Sequence, residues 1–262
     1  MRVTYRDQDV KEYWTKRWTS IPVDSIMDNE NIYPLKYAIK TIKSPLGKIL
    51  EAGCGAGRIL RYFHARGHDI TGIDFVDEVV SKVKMVDSTI KIEVGDITNL
   101  AFEEESFEYV LAFGLYHNLE EGLDEALKET YRILRSGGRV CASFRADNIQ
   151  TRLSDFVSSA NRRGRQKSKS RVFHKMNLTL KEFKSLFERS GFFIEETYPV
   201  QNMPILYKFK FFRAASHKLF NENKARSEGY QLSSIGQYVQ KSLMRWFPNH
   251  FCNIYVIIAR RP

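Results

Sequence analysis

Three glycines at alternating positions, Gly53, Gly55 and Gly57, stand in the stretch ILEAGCGAGR, after an apolar run and ahead of a helical one. Glycines at such a turn let the backbone approach a ligand closely, and the helix start behind them offers unpaired N–H groups. A dinucleotide fingerprint would carry a further glycine where this chain has Arg58, which counts against a nicotinamide ligand. Asp74 follows Gly53 by 21 residues, at the end of the next apolar run. An acid at that distance lies beside the glycine turn and either accepts hydrogen bonds from both hydroxyls of a ribose or caps the following helix. The ribose reading predicts a nucleoside in the ligand. Tyr116 and His117, in AFGLYHNL, directly follow another apolar run. His117, with an ordinary pKa near 6.5, either takes a proton from a hydroxyl acceptor or packs against the next helix. Arg145, Arg171 and His174 are candidates to hold an anionic acceptor.

These residues need a scaffold that brings strand ends together. Apolar runs of strand length at 48–52, 69–74, 91–95, 108–113 and 139–144 alternate with amphipathic stretches at 57–66, 77–86 and 119–134. That alternation predicts β-α-β units on a parallel sheet. A helix at 179–189, a strand at 192–198 and a last strand at 253–259 complete it. Residues 8–43 read as helical, with a turn-rich break at 24–30. Residues 148–175 are polar and basic without apolar periodicity, which predicts a mobile lid rather than core.

The ordered set E-x-G-x-G-x-G, the acid closing strand two, VGDITNL, FGLYHNL and LRSGGR resembles the class I S-adenosylmethionine-dependent methyltransferases over roughly residues 48–145. The resemblance implies an α/β fold, a doubly wound, seven-stranded Rossmann-like sheet whose final strand is antiparallel. It implies a single domain over 1–262: an N-terminal helical cap (1–45), a cofactor-binding core (46–145), a basic lid insertion (146–178), and the last two strands at 179–262 around a cap insertion at 201–250. It also implies that Glu51 and the backbone of Gly53, Cys54 and Gly55 hold the methionine part of S-adenosylmethionine, with Arg58 toward its carboxylate. Asp74 would hold the ribose, Phe75 and Ile97 the adenine ring, and Asp96 its amino group. Phe113 and Gly114 would pass beneath the sulfonium, and Tyr13 and Trp14 resemble an aromatic pair folded over the cofactor. S-adenosylhomocysteine would be the product and no metal would be required, because the sulfonium is already an activated leaving group and the protein mainly aligns the acceptor.

The same positions prune the acceptor. The Asn/Asp-Pro-Pro-Tyr sequence that recognises amino groups is absent from AFGLYHN, and neither Cys54 nor Cys141 is placed as a nucleophile. The expectation is methyl transfer to a small or glycosylated, anionic or polar acceptor at oxygen. An RNA methyltransferase is the alternative, because the net charge of +10 divides into −4 over residues 1–144 and +14 over 145–262, and RRGRQKSKSR adds a basic run. A third reading, a binding subunit that keeps the fold, is opposed by the intact glycine turn and Asp74. The charged N-terminus, three scattered cysteines and lack of any run of about 18 apolar residues predict a cytoplasmic protein with no integral membrane segment.

Overall fold

The computed structural model describes residues 1–6, 13–15, 27–160, 172–200, 203–219 and 230–262. Its central sheet has seven strands in the order β4-β3-β2-β5-β6-β9-β8: β2 (Ile49–Ala52), β3 (Ile70–Asp74), β4 (Lys91–Val94), β5 (Phe107–Ala112), β6 (Leu134–Arg145), β8 (Phe193–Pro199) and β9 (Ile254–Arg260). Strands β4 to β6 pair in parallel, and β9 runs antiparallel to both β6 and β8. All seven strands fall where the apolar runs predict them. The strand order reverses at β2, so a crevice opens at the carboxyl ends of β2 and β5.

Helices cover both faces. On one lie α1 (Leu35–Thr41), α2 (Arg58–His64) and α3 (Asp77–Val86), whose Ala38, Leu60 and Val83 bury against Ile49, Ile70, Leu111 and Ile258. On the other lie α4 (Leu123–Ile133) and α6 (Leu180–Arg189), whose Leu127, Phe183 and Phe187 bury against Leu50, Val110, Phe144 and Ile257. Burial on both faces is why the inner strands read as continuous apolar runs rather than alternating ones. Helix α6 opens with a capping box between Thr179 and Glu182.

Two regions differ from the sequence expectation. Residues 148–175 are not a structureless lid where they are described: α5 (Ile149–Ala160) and β7 (Val172–Asn177) are ordered elements, while residues 161–171, including Arg171, lie outside the described residues. Helix α5 escapes a periodicity reading because its polarity is inverted. Gln150, Thr151 and Ser154 are buried, whereas Ile149, Leu153 and Phe156 are exposed. Two of the three inward groups are served: the Thr151 hydroxyl donates to the Ala146 carbonyl at 2.7 Å, and Lys208 Nζ, in α7 (Pro204–Lys208), donates to Ser154 Oγ at 2.8 Å, whereas the Gln150 amide has no partner.

The second difference is at the N-terminus. The proposed helical cap begins with a strand, β1 (Arg2–Arg6), which pairs antiparallel with β7 in a separate two-stranded sheet. Arg2 anchors it, donating to Asp147 and Asp155 at 2.7 Å each. Arg2 to Arg6 alternate polar and apolar, but five residues are too short a signal to find such a strand before its partner is known.

Candidate active site

The turn from β2 into α2 is built by left-handed backbone. Gly53 has φ +69°, and a Cβ there would meet Leu115 Cδ1 at 3.0 Å, so both conformation and space require glycine. The Gly53 and Cys54 N–H groups donate to the Ile73 carbonyl at 2.8 and 3.0 Å, and Gly57 N–H donates to the Cys54 carbonyl at 2.9 Å. Asp74, buried at the end of β3, ties itself to this turn. Its Oδ2 accepts from Gly55 N–H at 2.8 Å and its Oδ1 from Val76 N–H at 3.0 Å. Burial raises its pKa against the lowering effect of bonds from the Val76, Gly55 and Phe75 backbone, and the carboxylate keeps acceptor capacity for a ligand hydroxyl.

Glu51 lies on β2 directly below. Its side chain is buried, and burial pushes its pKa up to about 8, against smaller opposing effects from the Leu60 backbone and Arg58. Oε2 has no hydrogen-bond partner. A buried carboxyl oxygen left unserved is rare in a folded protein and marks a place for a donor that the chain itself does not supply. The Cys54 side chain, by contrast, serves the fold. Its sulfur packs beneath the turn against Gly72, and burial pushes its thiol pKa well up.

Around the crevice, Phe75 is exposed beside Asp74, and Ile97 is buried behind β4. Asp96 is exposed, its Oδ1 accepting from the Thr98 N–H and hydroxyl at 2.9 and 2.8 Å. Phe113, at the end of β5, stands edge-on to Tyr33 with ring centroids 5.8 Å apart. The Tyr33 hydroxyl exchanges a hydrogen bond with Ser143 Oγ at 2.9 Å, and Ser143 Oγ accepts from Gly114 N–H at 2.8 Å. Tyr33 and Ser143 thereby fix the Phe113–Gly114 corner from two other elements. Neither stands out in the sequence: Ser143 is one small polar residue inside an apolar strand, and Tyr33 one aromatic among 13 tyrosines.

A single 3-10 turn, Tyr116–Asn118, follows β5 and separates two neighbours that sequence adjacency groups together. Tyr116 is fully buried, with its hydroxyl against Thr130 Oγ1 at 2.7 Å and its ring against Phe187. Burial raises its pKa, so the expected catalytic role of Tyr116 is corrected to a core one. His117 faces Phe144, and its Nδ1 is buried with no hydrogen-bond partner. Burial, and then the charges of Lys175, Arg145 and His174, hold its pKa down to about 3.

Those cations arrive from separate elements. Arg145 ends β6, whereas His174 and Lys175 belong to β7, which packs on the Tyr116–Asn118 turn. The β1–β7 register pairs Thr4 with Lys175 and Tyr5 with Phe173, leaving His174 as an inserted residue. Such a bulge re-aims side chains, and two consecutive residues of β7 both bear on His117. Tyr13 stands edge-on to His174 at 6.2 Å and to Trp14 at 5.2 Å, so the aromatic pair lies beside β7. Lys175 was not singled out in the sequence, although His174 beside it was. Among the described residues there is no group of three or more His, Cys, Asp or Glu arranged to hold a metal.

Comparison with known proteins addresses the core. Residues 50–142 match the family model described as a methyltransferase domain. The ubiquinone/menaquinone biosynthesis C-methyltransferase UbiE of Geotalea daltonii is 35% identical over 116 residues, covering 40% of this chain and 48% of that protein. The malonyl-[acyl-carrier protein] O-methyltransferase of Pectobacterium atrosepticum is 31% identical over 111 residues, covering 41% of this chain and 42% of that protein. The matched segment thus spans about half the length of these curated relatives or less. A crystal structure of an S-adenosylmethionine-dependent methyltransferase from Methanosarcina mazei superposes with TM-score 0.57 at 15% identity, over 88% of this chain and 98% of that one. At that identity the likeness speaks for the fold.

Proposed function

Because residues 50–142 are a class I S-adenosylmethionine-dependent methyltransferase domain, we propose that the chain is an enzyme that transfers a methyl group from S-adenosylmethionine to an oxygen of a small anionic acceptor, glycosylated acceptors included. The observation that carries this reading is the convergence of the Gly53–Gly57 turn, Glu51 and Asp74 at one end of the sheet with a cationic group across the crevice.

The residues present fit the cofactor. The unserved Glu51 oxygen suits its ammonium group, with Arg58 toward the carboxylate. Asp74 would take the ribose hydroxyls, Phe75 and Ile97 the adenine, and the free oxygen of Asp96 its amino group. Phe113 and Gly114 would line the path of the methyl group. When bound, the cofactor supplies a sulfonium-activated methyl, and what remains for the chain is alignment of the acceptor.

His117 bears on that step through its proton balance. With a pKa near 3 it stays neutral at physiological pH but is a weak base, since a general base works best when its pKa lies near the operating pH. An acceptor with an already ionised oxygen needs no base, and its charge suits Arg145, His174 and Lys175. Such an acceptor would also offset the charges that depress His117. Neither curated relative is named for RNA, and the RNA alternative is not favoured.

The test is calorimetric binding of S-adenosylmethionine, followed by transfer of a radiolabelled methyl group to panels of carboxylic and hydroxylated small molecules. Folded protein that fails to bind the cofactor sinks the whole reading. Binding without transfer to any acid, but with transfer to neutral alcohols, sinks only the anionic acceptor.

A further inference from the structure

The cap between β8 and β9 carries a surface for which methyl transfer has no use. Residues 201–250 hold eight Lys or Arg against two Asp or Glu. Among the described residues the longest helix in this cap is α8 (Ser234–Trp246), which contains no acidic residue. Its inner face, Gly236 and Met244, is buried, and the Gly236 backbone lies tight against the Phe212 carbonyl. Its outer face bears Ile235, Tyr238, Lys241, Arg245 and Trp246, spaced so that all project from one side of an α-helix.

The exposure of that face is unusual for its composition. Tyr238 is 73% and Trp246 71% exposed, and Phe211, beside the start of the helix, is 67% exposed. Single exposed apolar residues need no explanation, but a cluster of aromatics on one basic helix does. Among the described residues Lys241 and Arg245 pair with no carboxylate, and Arg245 instead lies 5.7 Å from the Trp246 ring centroid. Helix α9 (Pro248–Phe251) follows directly and packs against α5, which adds exposed Leu153 and Phe156.

We propose that the outer face of α8, with Phe211, docks on an anionic lipid bilayer and holds the protein at the membrane surface. Lys241 and Arg245 supply the charge complementarity, and each cation near an anionic leaflet attracts it measurably at physiological salt. Ile235 and Phe211 have no hydrogen-bonding group and suit the acyl boundary, while Tyr238 and Trp246 suit the headgroup level, where one end of a ring is apolar and the other wet. Single-stranded nucleic acid would instead call for aromatics lining a charged groove on which bases stack. A convex helix carrying Ile and Phe fits lipid better. The attachment is peripheral, since among the described residues no helix is long and apolar enough to cross a membrane.

The experiment is co-sedimentation of the full chain with vesicles of phosphatidylcholine alone and of phosphatidylcholine mixed with phosphatidylglycerol. The protein is expected to pellet with the anionic vesicles, poorly with the neutral ones, and less as salt rises. The double substitution Lys241→Glu, Arg245→Glu should lower the apparent partition coefficient at least about tenfold. Tyr238→Ser with Trp246→Ser should also lower it, and both variants should melt where the wild type does, because the residues are exposed. Three results would each overturn the proposal: no pelleting with anionic vesicles, equal pelleting of the charge-reversed variant, or a self-association that Trp246→Ser abolishes without any vesicle binding. Bulk tRNA binding that the charge reversal removes, in a protein that ignores vesicles, would assign the face to nucleic acid instead.

Discussion

Glu51 holds a proton in the folded chain that it would release in the unfolded one. Its pKa is about 8 folded against the ordinary 4.5, so between those values the native state binds the extra proton and stability falls as pH rises, levelling off above about 8. Glu51→Gln should therefore melt higher than the wild type at pH 8, with the gap closing toward pH 4.5; thermal melts across that range decide it. Asp74→Asn keeps one acceptor oxygen but loses the charge. It should weaken cofactor binding by roughly 10- to 150-fold, the equivalent of about 1.5 to 3 kcal/mol for hydrogen bonds to a charged group, as read by calorimetry. Gln150 is 1% exposed and neither of its amide atoms has a partner. Gln150→Leu should raise stability by about 1 to 2 kcal/mol, measured by denaturant titration, because it removes an unserved buried polar group. For His117, depression to about 3 means that the pH profile of kcat/KM should show no step near 6.5 from this residue, and a step there that His117→Ala removes would contradict the placement of the cations around it. The glycine turn and Asp74 were legible because spacing along a β-α-β unit determines which strand end a residue occupies, whereas Glu51 came with the family resemblance. Tyr116 and His117 were not separable, since only the 3-10 turn between them decides which side chain enters the core.

At the scale of elements, the seven-stranded sheet was legible because strands buried on both faces leave long apolar runs, and that signal survives without any partner. Helix α5 and the β1–β7 pair were not. In α5 the side facing the protein is the polar one, so hydrophobic periodicity points the wrong way. For β1, its partner lies beyond residue 171, and pairing at that separation leaves no local trace. The β1–β7 pair carries the bulge at His174, so its attachment should govern the acceptor and leave the cofactor alone. Arg2→Ala removes the bonds to Asp147 and Asp155, although Asp147 keeps Arg152 at 2.8 Å. The expected outcome is a raised KM for the acceptor with an unchanged Kd for S-adenosylmethionine. Equal loss of both would mean that β1 supports the whole domain.

Across the whole molecule, the two sides of the proposed reaction draw on opposite charge. The cofactor turn belongs to the half with net −4, and His174 and Lys175 to the half with net +14. Raising ionic strength should therefore increase KM for an anionic acceptor while barely moving the affinity for the cofactor, because screening acts on net charge attracted over distance. The order in which the two halves leave the ribosome gives the β1–β7 pair a different meaning. Arg2–Arg6 is made ahead of the sheet core, yet its partner, Val172–Asn177, follows some 170 residues later. At about 5 to 20 residues per second, β1 waits roughly 8 to 35 seconds for its partner, and β2 to β6 are complete for about the last 1 to 5 of them. The nascent chain thus passes through an interval in which the cofactor crevice can exist and the proposed acceptor edge cannot, and a chaperone that shields one short strand would have that interval in which to act.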